Sequence, residues 1–449
     1  MTPRARRIFG SIIVVGAIVA AGAVWYVRGP GPLAFAGGST VALPDYKGAN
    51  PTGVPASMAQ ASIVERGEYL ARAADCMVCH TAPGGKEYSG GFAFKLPFGT
   101  LYSTNITPDK DTGIGSYNDQ DFLNAMHRGV RKDGARLYPA MPYTSYTYIT
   151  DADALAIKAY LFSLAPVRAV PPANTLTFPF NQRWAMTFWS VLFNPDKRYE
   201  PDTTKTPQWN RGAYLAEALA HCGECHTPRN VGFALDNRNK FGGALTAGWR
   251  AFNISGDKAA GLGDWSDDDI ASYLAIGHAE GQGTASGPMG EAVDHSFSRL
   301  APGDIRAMVA YLRTVPAVPS PELPAKRAAV ASTSHKDGGD QGNARGKMVF
   351  EGACAGCHGW TGESAISPMA TLTGAWAVND PAATNVAQIV ISGTMRHTPK
   401  GALSMPAFGN SHSDVEIAAV ANYVTARFGS KGSQITATDV AELRKQTAQ

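Results

Sequence analysis

All six cysteines of the chain lie in three copies of the pattern Cys-x-x-Cys-His: Cys76–His80, Cys222–His226 and Cys354–His358. In proteins with covalent haem c, two thiols at this spacing add to the porphyrin vinyl groups and the adjacent imidazole binds the iron. Two intervening residues let one helical turn present both sulfurs to one porphyrin edge. The pattern predicts three haem c groups, attached through Cys76, Cys79, Cys222, Cys225, Cys354 and Cys357, with proximal ligands His80, His226 and His358.

A Cys-x-x-Cys pair also occurs in zinc sites and in redox-active dithiols. A zinc site would have to join two copies that are far apart in the chain, and it would leave the third copy unpaired. Disulfides would leave the three histidines unexplained. The haem interpretation accounts for every cysteine and for each histidine that follows a pair.

The sixth iron ligand decides what such haems can do. A thioether opposite histidine raises the potential and suits electron transfer, whereas an open position permits peroxide or oxygen chemistry. Met141, Met289 and Met405 follow the three motif histidines by 61, 63 and 47 residues. Methionine is a common core residue, but the Pro or Gly neighbours of these three favour loops that cross the haem face. We predict them as the distal ligands.

Other residues compete for the distal position in every unit. Met126 and His127 lie in a predicted helix at 119–130, where packing is the simpler interpretation. The remaining competitors are His278, His295, Met369, Met395 and His397.

The chain repeats itself around the first two motifs. Arg66–Ala71 is matched by Arg211–Ala216, and Asn105–Tyr117 is matched by Asn253–Trp265. Only Arg345-Gly346 remains of the first repeat before the third motif. Such self-similarity indicates duplication of a whole domain. The repeat also supplies candidates for haem contact, with a propionate hydrogen bond or simple packing as alternatives for the two aromatic residues: Asn105, Tyr117, Asn253 and Trp265.

The elements that must position these residues are helical. Apolar periodicity predicts helices before the motifs at 64–74, 212–220 and 346–352, and closing helices at 152–165, 304–315 and 414–428. Thr150 is a predicted N-cap. There is no alternating strand series, and we predict a mainly α protein with three tandem, class I-like cytochrome c domains and an N-terminal transmembrane helix.

The N-terminus predicts a membrane anchor. Arg4, Arg6 and Arg7 precede the run 8–27, which has 20 residues and no charge. As a helix it would be about 30 Å long, enough to cross a bilayer. The preceding arginines predict a cytoplasmic N-terminus and an exported remainder. A signal peptide cleaved near Ala34–Ala36 is the alternative.

Composition and the positions of Gly- and Pro-rich stretches predict how the chain is divided into segments. The net charge of +3 identifies no acidic partner, and no nucleic-acid patch is present. The aromatic segment 176–193 is predicted to contact the membrane, a partner or a quinone, or else to be inter-domain core. The predicted segments are an anchor or signal peptide at 1–28, a spacer at 29–60, the first unit at 61–168, an aromatic-rich connector at 169–206, the second unit at 207–316, a linker at 317–343, the third unit at 344–430 and a C-terminal tail at 431–449.

These residues resemble those of a known family, the membrane-bound triheme cytochrome c subunits of bacterial periplasmic alcohol and aldehyde dehydrogenase complexes. The resemblance covers residues 60–430. The stretches that carry it are Thr81–Gly85, Pro97–Asp109, Gly113–Gly115, Leu137–Tyr143, Trp209–Leu215, His221–Arg229 and Met405–Phe408.

The resemblance implies a non-catalytic subunit at the periplasmic face of the inner membrane. It would take electrons from a dehydrogenase catalytic subunit, with a small additional subunit as a further partner, and pass them to ubiquinone. The segment 166–181 is similar to the type that serves molybdenum aldehyde dehydrogenases. The alternatives are a quinoprotein alcohol dehydrogenase or a flavoprotein sugar or sugar-acid dehydrogenase as partner, a haem peroxidase or oxidase, and a free electron shuttle.

Overall fold

The computed structural model describes residues 3–320, 343–398 and 401–447. Its described residues are mainly helical, and their strands form four antiparallel hairpins. The α-helices are α1 Pro3–Arg28, α2 Ile63–Ala73, α3 Cys76–Cys79, α4 Asp119–Arg128, α5 Tyr143–Tyr146, α6 Asp151–Ser163, α7 Ala185–Phe193, α8 Pro207–Ala213, α9 Gly223–His226, α10 Asp267–Ile276, α11 Gly287–His295, α12 Pro302–Leu312, α13 Ala344–Val349, α14 Ala355–His358, α15 Trp376–Asn379, α16 Thr384–Ser392, α17 Asp414–Phe428 and α18 Ala437–Thr447.

The hairpins join neighbouring strands in the chain. They are β1 Ala93–Leu96 with β2 Gly99–Tyr102, β3 Ala244–Thr246 with β4 Trp249–Ala251, β5 His278–Ala279 with β6 Gly283–Thr284, and β7 Thr394–Thr398 with β8 Gly401–Met405. Two π-helical segments, Tyr214–Leu219 and Phe350–Cys354, continue α8 and α13 towards the second and third motifs. Short 3-10 turns occupy Ala34–Ala36, Leu43–Asp45, Ala56–Met58, Asn237–Asn239, Phe297–Arg299 and Pro368–Ala370.

In each unit the helix before the motif packs against the closing helix, as α2 on α6, α8 on α12 and α13 on α17. A glycine lies at every crossing, because a Cβ at Gly67, Gly212 or Gly346 would lie only 1.9, 1.9 or 2.2 Å from a carbonyl oxygen of the facing helix. The Arg-Gly pair that all three units share therefore marks a contact between helix backbones.

The first and second units share one hydrophobic core. The first core cluster contains residues from Tyr69 to Val315, and the second core cluster contains residues from Phe350 to Val440. Because the hydrophobic effect favours burial of both surfaces together, the first two units pack as one body around the first core cluster.

Tyr69 and Tyr214, which are equivalent in the repeat, hold these two units together reciprocally. The Tyr69 hydroxyl donates to Asp304 Oδ2 of the second unit (2.6 Å), and the Tyr214 hydroxyl donates to Asp153 Oδ2 of the first (2.6 Å). Each hydroxyl also accepts a hydrogen bond from the N–H at the N-cap of the helix it touches. The repeated tyrosine thus binds the start of the other unit's closing helix.

The third unit docks on the second. The Trp376 ring meets Phe252 and Trp265 edge-on, with ring centroids 5.4 Å apart in both pairs. Asn385 exchanges two hydrogen bonds with the backbone of Arg250 (2.8 and 2.9 Å). Most of the predicted linker, residues 321–342, lies outside the described residues. The predicted C-terminal tail contains α18, which packs against α16 and α17 and buries Val440.

The C-terminal end of α1 lies against the second unit. The Asn230 side chain donates to the Val27 carbonyl (3.0 Å), and the Arg238 guanidinium lies over the Tyr26 ring (4.6 Å). Among the described residues, no helix combines the length and the apolar character that crossing a membrane requires. The transmembrane part of the fold prediction is therefore not confirmed.

The segment that we predict as a spacer is folded onto the first two units. The Phe35 ring lies 6.0 Å from that of Tyr311, and the Gly53 N–H donates to Asp153 (2.8 Å). The sequence does not reveal these tertiary contacts, because a segment rich in Gly and Pro locally favours an extended chain.

The aromatic segment 176–193 is in part inter-domain core, and its contact with a membrane, a partner or a quinone stays a prediction. One face of α7 packs inward, where Ser190 bonds the Tyr143 hydroxyl (3.1 Å) and Trp189 Nε1 donates to the Gly232 carbonyl (2.7 Å). The other face is solvent-exposed, and its large apolar side chains are Trp184, Phe188 and Val191. Their spacing of four and three residues places them on one stripe of the helix.

Candidate haem-binding sites

Each Cys-x-x-Cys-His motif forms a short helix, namely α3, α9 or α14. No disulfide joins any two of the six cysteines. Burial raises the pKa of Cys222 to about 12 and that of Cys225 to about 11. A redox-active dithiol needs a lowered thiol pKa, so this environment does not suit that alternative. In the described part of the chain, no three His, Cys, Asp or Glu side chains are grouped as a metal site would require.

The three motif histidines are oriented in the same way. Nδ1 of His80, His226 and His358 lies 2.7, 2.6 and 2.6 Å from a backbone carbonyl oxygen. A carbonyl can only accept, so Nδ1 carries the proton and Nε2 keeps its lone pair for iron. Burial lowers the pKa of each imidazole and favours the neutral form that binds metal. This arrangement fits a proximal haem ligand in every unit.

The carbonyl groups that orient the first two histidines belong to Thr104 and Phe252. Each precedes one of the two repeated asparagines, Asn105 and Asn253, which are buried. The Asn105 amide donates to the Val167 carbonyl (2.7 Å), and the Asn253 amide donates to the Val318 carbonyl (2.6 Å). These asparagines thus fix the loop that holds the imidazole, and the structure assigns their side chains to protein contacts.

The aromatic candidates for haem contact differ from each other. The Tyr117 hydroxyl accepts a hydrogen bond from the Lys132 N–H (3.4 Å). Trp265 is buried, packs edge-on against Tyr273 (5.6 Å), and its Nε1 has no hydrogen-bond partner within the described residues. A buried N–H without a partner is costly, and a haem propionate would satisfy it. Trp265 therefore fits a haem in the second unit.

The predicted distal methionines are all half-buried. Met141 and Met289 pack against the first core cluster, and Met405 packs against the second. The loop prediction is right only for Met141, which precedes α5. Met289 lies in the first turn of α11. The preceding Pro288 does not prevent a helix here, because the first residues of a helix need no N–H donor. Met405 is the last residue of β8. Their role as ligands stays a prediction.

Four of the competing residues are buried in a helix or lie close to other side chains. Met126 and His127 are buried in α4, in agreement with the packing interpretation. His278 Nδ1 lies 2.9 Å from Thr284 Oγ1, and His397 Nδ1 lies 3.2 Å from Asp294 Oδ2.

Met405 and Met395 make a matched pair for testing the third site. Met405 packs against the second core cluster, whereas Met395 is 55% exposed. We expect Met405→Ala to let one haem bind carbon monoxide and to lower its potential, because the thioether that closes the coordination sphere is gone. Met395→Ala should change neither spectrum nor potential. The assignment is wrong if carbon monoxide difference spectra of the two variants are alike.

Each of the first two sites touches the other. Thr144 and Ser145, which closely follow Met141, lie within hydrogen-bonding distance of Glu224 Oε1 (3.3 and 3.4 Å), inside the second motif. In return, α11 with Met289 contacts α3 of the first motif. The residues that follow Met141, and the helix that carries Met289, therefore lie beside the cysteine helix of the neighbouring unit.

Some residues that form these sites were not predicted from the sequence. The carbonyl groups of Thr104, Phe252 and Ala370 hold the imidazoles, but a backbone acceptor has no signature in residue type. Two of the three could be found through the repeat, because each directly precedes a repeated asparagine. The third unit lacks that asparagine and gives no such signal.

Family comparisons place two matches on the chain. A family model described as cytochrome c matches residues 64–165, within the first unit. A model described as cytochrome C oxidase, cbb3-type, subunit III matches residues 341–424, mostly within the third.

Three curated relatives share 36–40% of their aligned residues with the chain. One nicotinate dehydrogenase subunit from Pseudomonas putida is 40% identical over 82% of this chain, which spans 30% of that relative's length. The gluconate 2-dehydrogenase cytochrome c subunit of Pantoea cypripedii is 38% identical over 86% of the chain and 90% of its own length. The cytochrome c subunit of alcohol dehydrogenase (quinone) of Gluconobacter oxydans is 36% identical over 86% of the chain and 83% of its own length.

Proposed function

The chain belongs to the family of cytochrome c subunits of dehydrogenase complexes, and on that premise we propose that it is the electron-transfer subunit of such a complex. One observation carries the proposal. Each Cys-x-x-Cys-His helix presents an imidazole anchored through Nδ1 to a backbone carbonyl, so that Nε2 is left for iron.

Three haem c groups are proposed, one in each unit. When bound, haem c supplies an iron that is reversibly oxidised and reduced by one electron. The paired thiols of α3, of Cys222 with α9, and of Cys354 with α14 would hold the group covalently. The half-buried Met141, Met289 and Met405 would close the iron to outside ligands. Contacts between neighbouring units favour electron transfer along the chain.

We place the subunit at the periplasmic face of the inner membrane, with ubiquinone as electron acceptor. The uncharged run 8–27 behind three arginines supports an N-terminal attachment. The end of α1 contacts α7, and exposed apolar side chains occur on both helices: Trp25, Tyr26, Trp184, Phe188 and Val191. Trp and Tyr favour the membrane–water interface, so this face suits contact with lipid and with a lipid-soluble quinone.

The catalytic partner is proposed to be a periplasmic dehydrogenase, with the molybdenum aldehyde type preferred on the resemblance of 166–181. Quinoprotein alcohol and flavoprotein sugar or sugar-acid dehydrogenases are the alternatives. The relatives are named for nicotinate, gluconate and alcohol, so proteins similar to this chain occur with several substrates.

Purification of the native complex from membranes tests the function. We expect three haems per chain, a larger subunit that co-purifies, and reduction of the haem bands when that subunit's substrate is added. Trials with an aldehyde, an alcohol and a sugar acid, together with analysis for molybdenum, quinone cofactor and flavin, would identify the partner.

Two outcomes would overturn the proposal. Release of the chain by buffer alone, without a second subunit, would indicate a free shuttle. Carbon monoxide binding by the reduced wild-type protein would indicate an open haem and favour peroxidase or oxidase chemistry.

A further inference from the structure

An arginine of the third unit is buried inside the second. Arg396 lies on β7 and is 2% exposed. Its guanidinium donates to the Gly290 carbonyl (2.5 Å) and to the Ile276 carbonyl (3.2 Å), and it lies 3.0 Å from Asp294 Oδ1. A buried charge needs such partners to offset its desolvation. The contacts therefore form one connected site that crosses the interface.

Two of the three acceptors of Arg396 lie on the helix that carries the predicted distal ligand of the second unit. Gly290 directly follows Met289, and Asp294 lies one turn further along the same helix, α11. Ile276 is the last residue of α10. The rigid, planar guanidinium fixes several acceptors at once. It thus holds the first turn and the middle of α11 against the end of α10.

The hairpin that provides Arg396 also carries the predicted distal ligand of the third unit. Arg396 pairs with Leu403 across β7 and β8, and Thr394 pairs with Met405. One hairpin therefore orders Met405 and, through Arg396, the helix of Met289.

A contact in the opposite direction strengthens the link. Thr284 of the second unit donates from Oγ1 to the Met369 carbonyl (2.9 Å). The next residue is Ala370, whose carbonyl orients His358. Each of these two units thus supports a predicted iron ligand of the other.

We propose that Arg396 is a positioning residue for Met289, so that docking of the third unit completes the coordination of the second. The inference rests on the proposed function, because it takes Met289 as an iron ligand. An iron–thioether bond needs its sulfur at a fixed place, and α11 loses a cross-unit anchor when the guanidinium is removed. The second haem would then open and its potential would fall.

Arg396→Met in the full haem-loaded chain tests the proposal. We expect the reduced variant to bind one equivalent of carbon monoxide per chain, and potentiometric titration to show one of the three potentials lowered. Arg396→Lys keeps the charge opposite Asp294 but loses the planar guanidinium that bonds several acceptors. It should therefore bind carbon monoxide in part, even if Arg396→Met does not fold. Gln388→Leu is the matched control. It removes another cross-unit hydrogen bond, to the Gly248 carbonyl (2.9 Å), and should bind no carbon monoxide.

Met289→Ala separates the two ways of failing. If Met289→Ala binds carbon monoxide but neither Arg396 variant does, the positioning role is wrong and the ligand assignment stands. If Met289→Ala binds none, Met289 is no ligand and the assignment on which the inference rests is itself wrong. Combining Met289→Ala with Arg396→Lys should add no further carbon monoxide, since both changes act on one coordination position.

Discussion

Asp304→Ala should destabilise the chain by about 3–5 kcal/mol, as expected when one partner of a buried ion pair is removed. The Asp304 carboxylate accepts hydrogen bonds from two nitrogens of Arg211 (2.9 and 2.6 Å) and from the Tyr69 hydroxyl (2.6 Å). Arg211 is 12% exposed and would keep only its hydrogen bonds to the Pro51 and Gly53 carbonyls, so its charge would remain largely buried without a carboxylate partner. Urea denaturation followed by far-UV circular dichroism measures the loss.

Asp153→Ala is the matched control, because Asp153 is equivalent in the repeat. It accepts from Tyr214 and from the Gly53 N–H but forms no ion pair within the described residues, and we expect a smaller loss of about 2 kcal/mol. Tyr69→Phe should cost about 1–2 kcal/mol, since it removes a single hydroxyl. Equal losses for Asp304→Ala and Asp153→Ala would contradict the importance of Arg211.

Acid should destabilise the protein through His127. The side chain is 3% exposed, and burial, with the nearby Arg198, lowers its pKa to about 4. In the unfolded chain the pKa is near 6.5. Between these values the unfolded state binds more protons, so stability falls as the pH drops from 6.5 to about 4 and is constant with respect to this group below that. The loss attributable to His127 is about 3 kcal/mol.

His127→Gln provides the comparison for that pH dependence. The free energy of unfolding of wild type and variant should be measured from pH 4 to pH 7. We expect the difference between the two proteins to change by about 3 kcal/mol over this range. The titration of every other group cancels in this difference. A difference that stays level across the range would show that the pKa of His127 is the same in the folded and the unfolded protein.

Local sequence signals predict the closing helices of the three units well. The helix at 414–428 has the predicted bounds, since Ser413 and Glu416 form a capping box at its start. Thr150 caps α6 as expected, through the Asp153 N–H (3.1 Å). Apolar periodicity and capping act within a few residues, so a single sequence contains them.

Features that depend on distant contacts are not predicted. The β7–β8 hairpin has no alternating pattern, and Arg396 is ordinary in sequence although it is buried in another unit. The orientation of Met289 also depends on how α11 packs, which the flanking Pro and Gly do not reveal. The cysteines show where a haem attaches, but the shape of its pocket arises from the assembled units.

The exchange of Tyr69 and Tyr214 gives the contact between the first two units the form of a twofold interface. In an isologous dimer, residue i of one copy meets residue j of the other, and j meets i. Tyr69 with Asp304 and Tyr214 with Asp153 obey that rule within one polypeptide. The two duplicated units are thus joined within one chain in the same way as the two copies of an isologous dimer are joined.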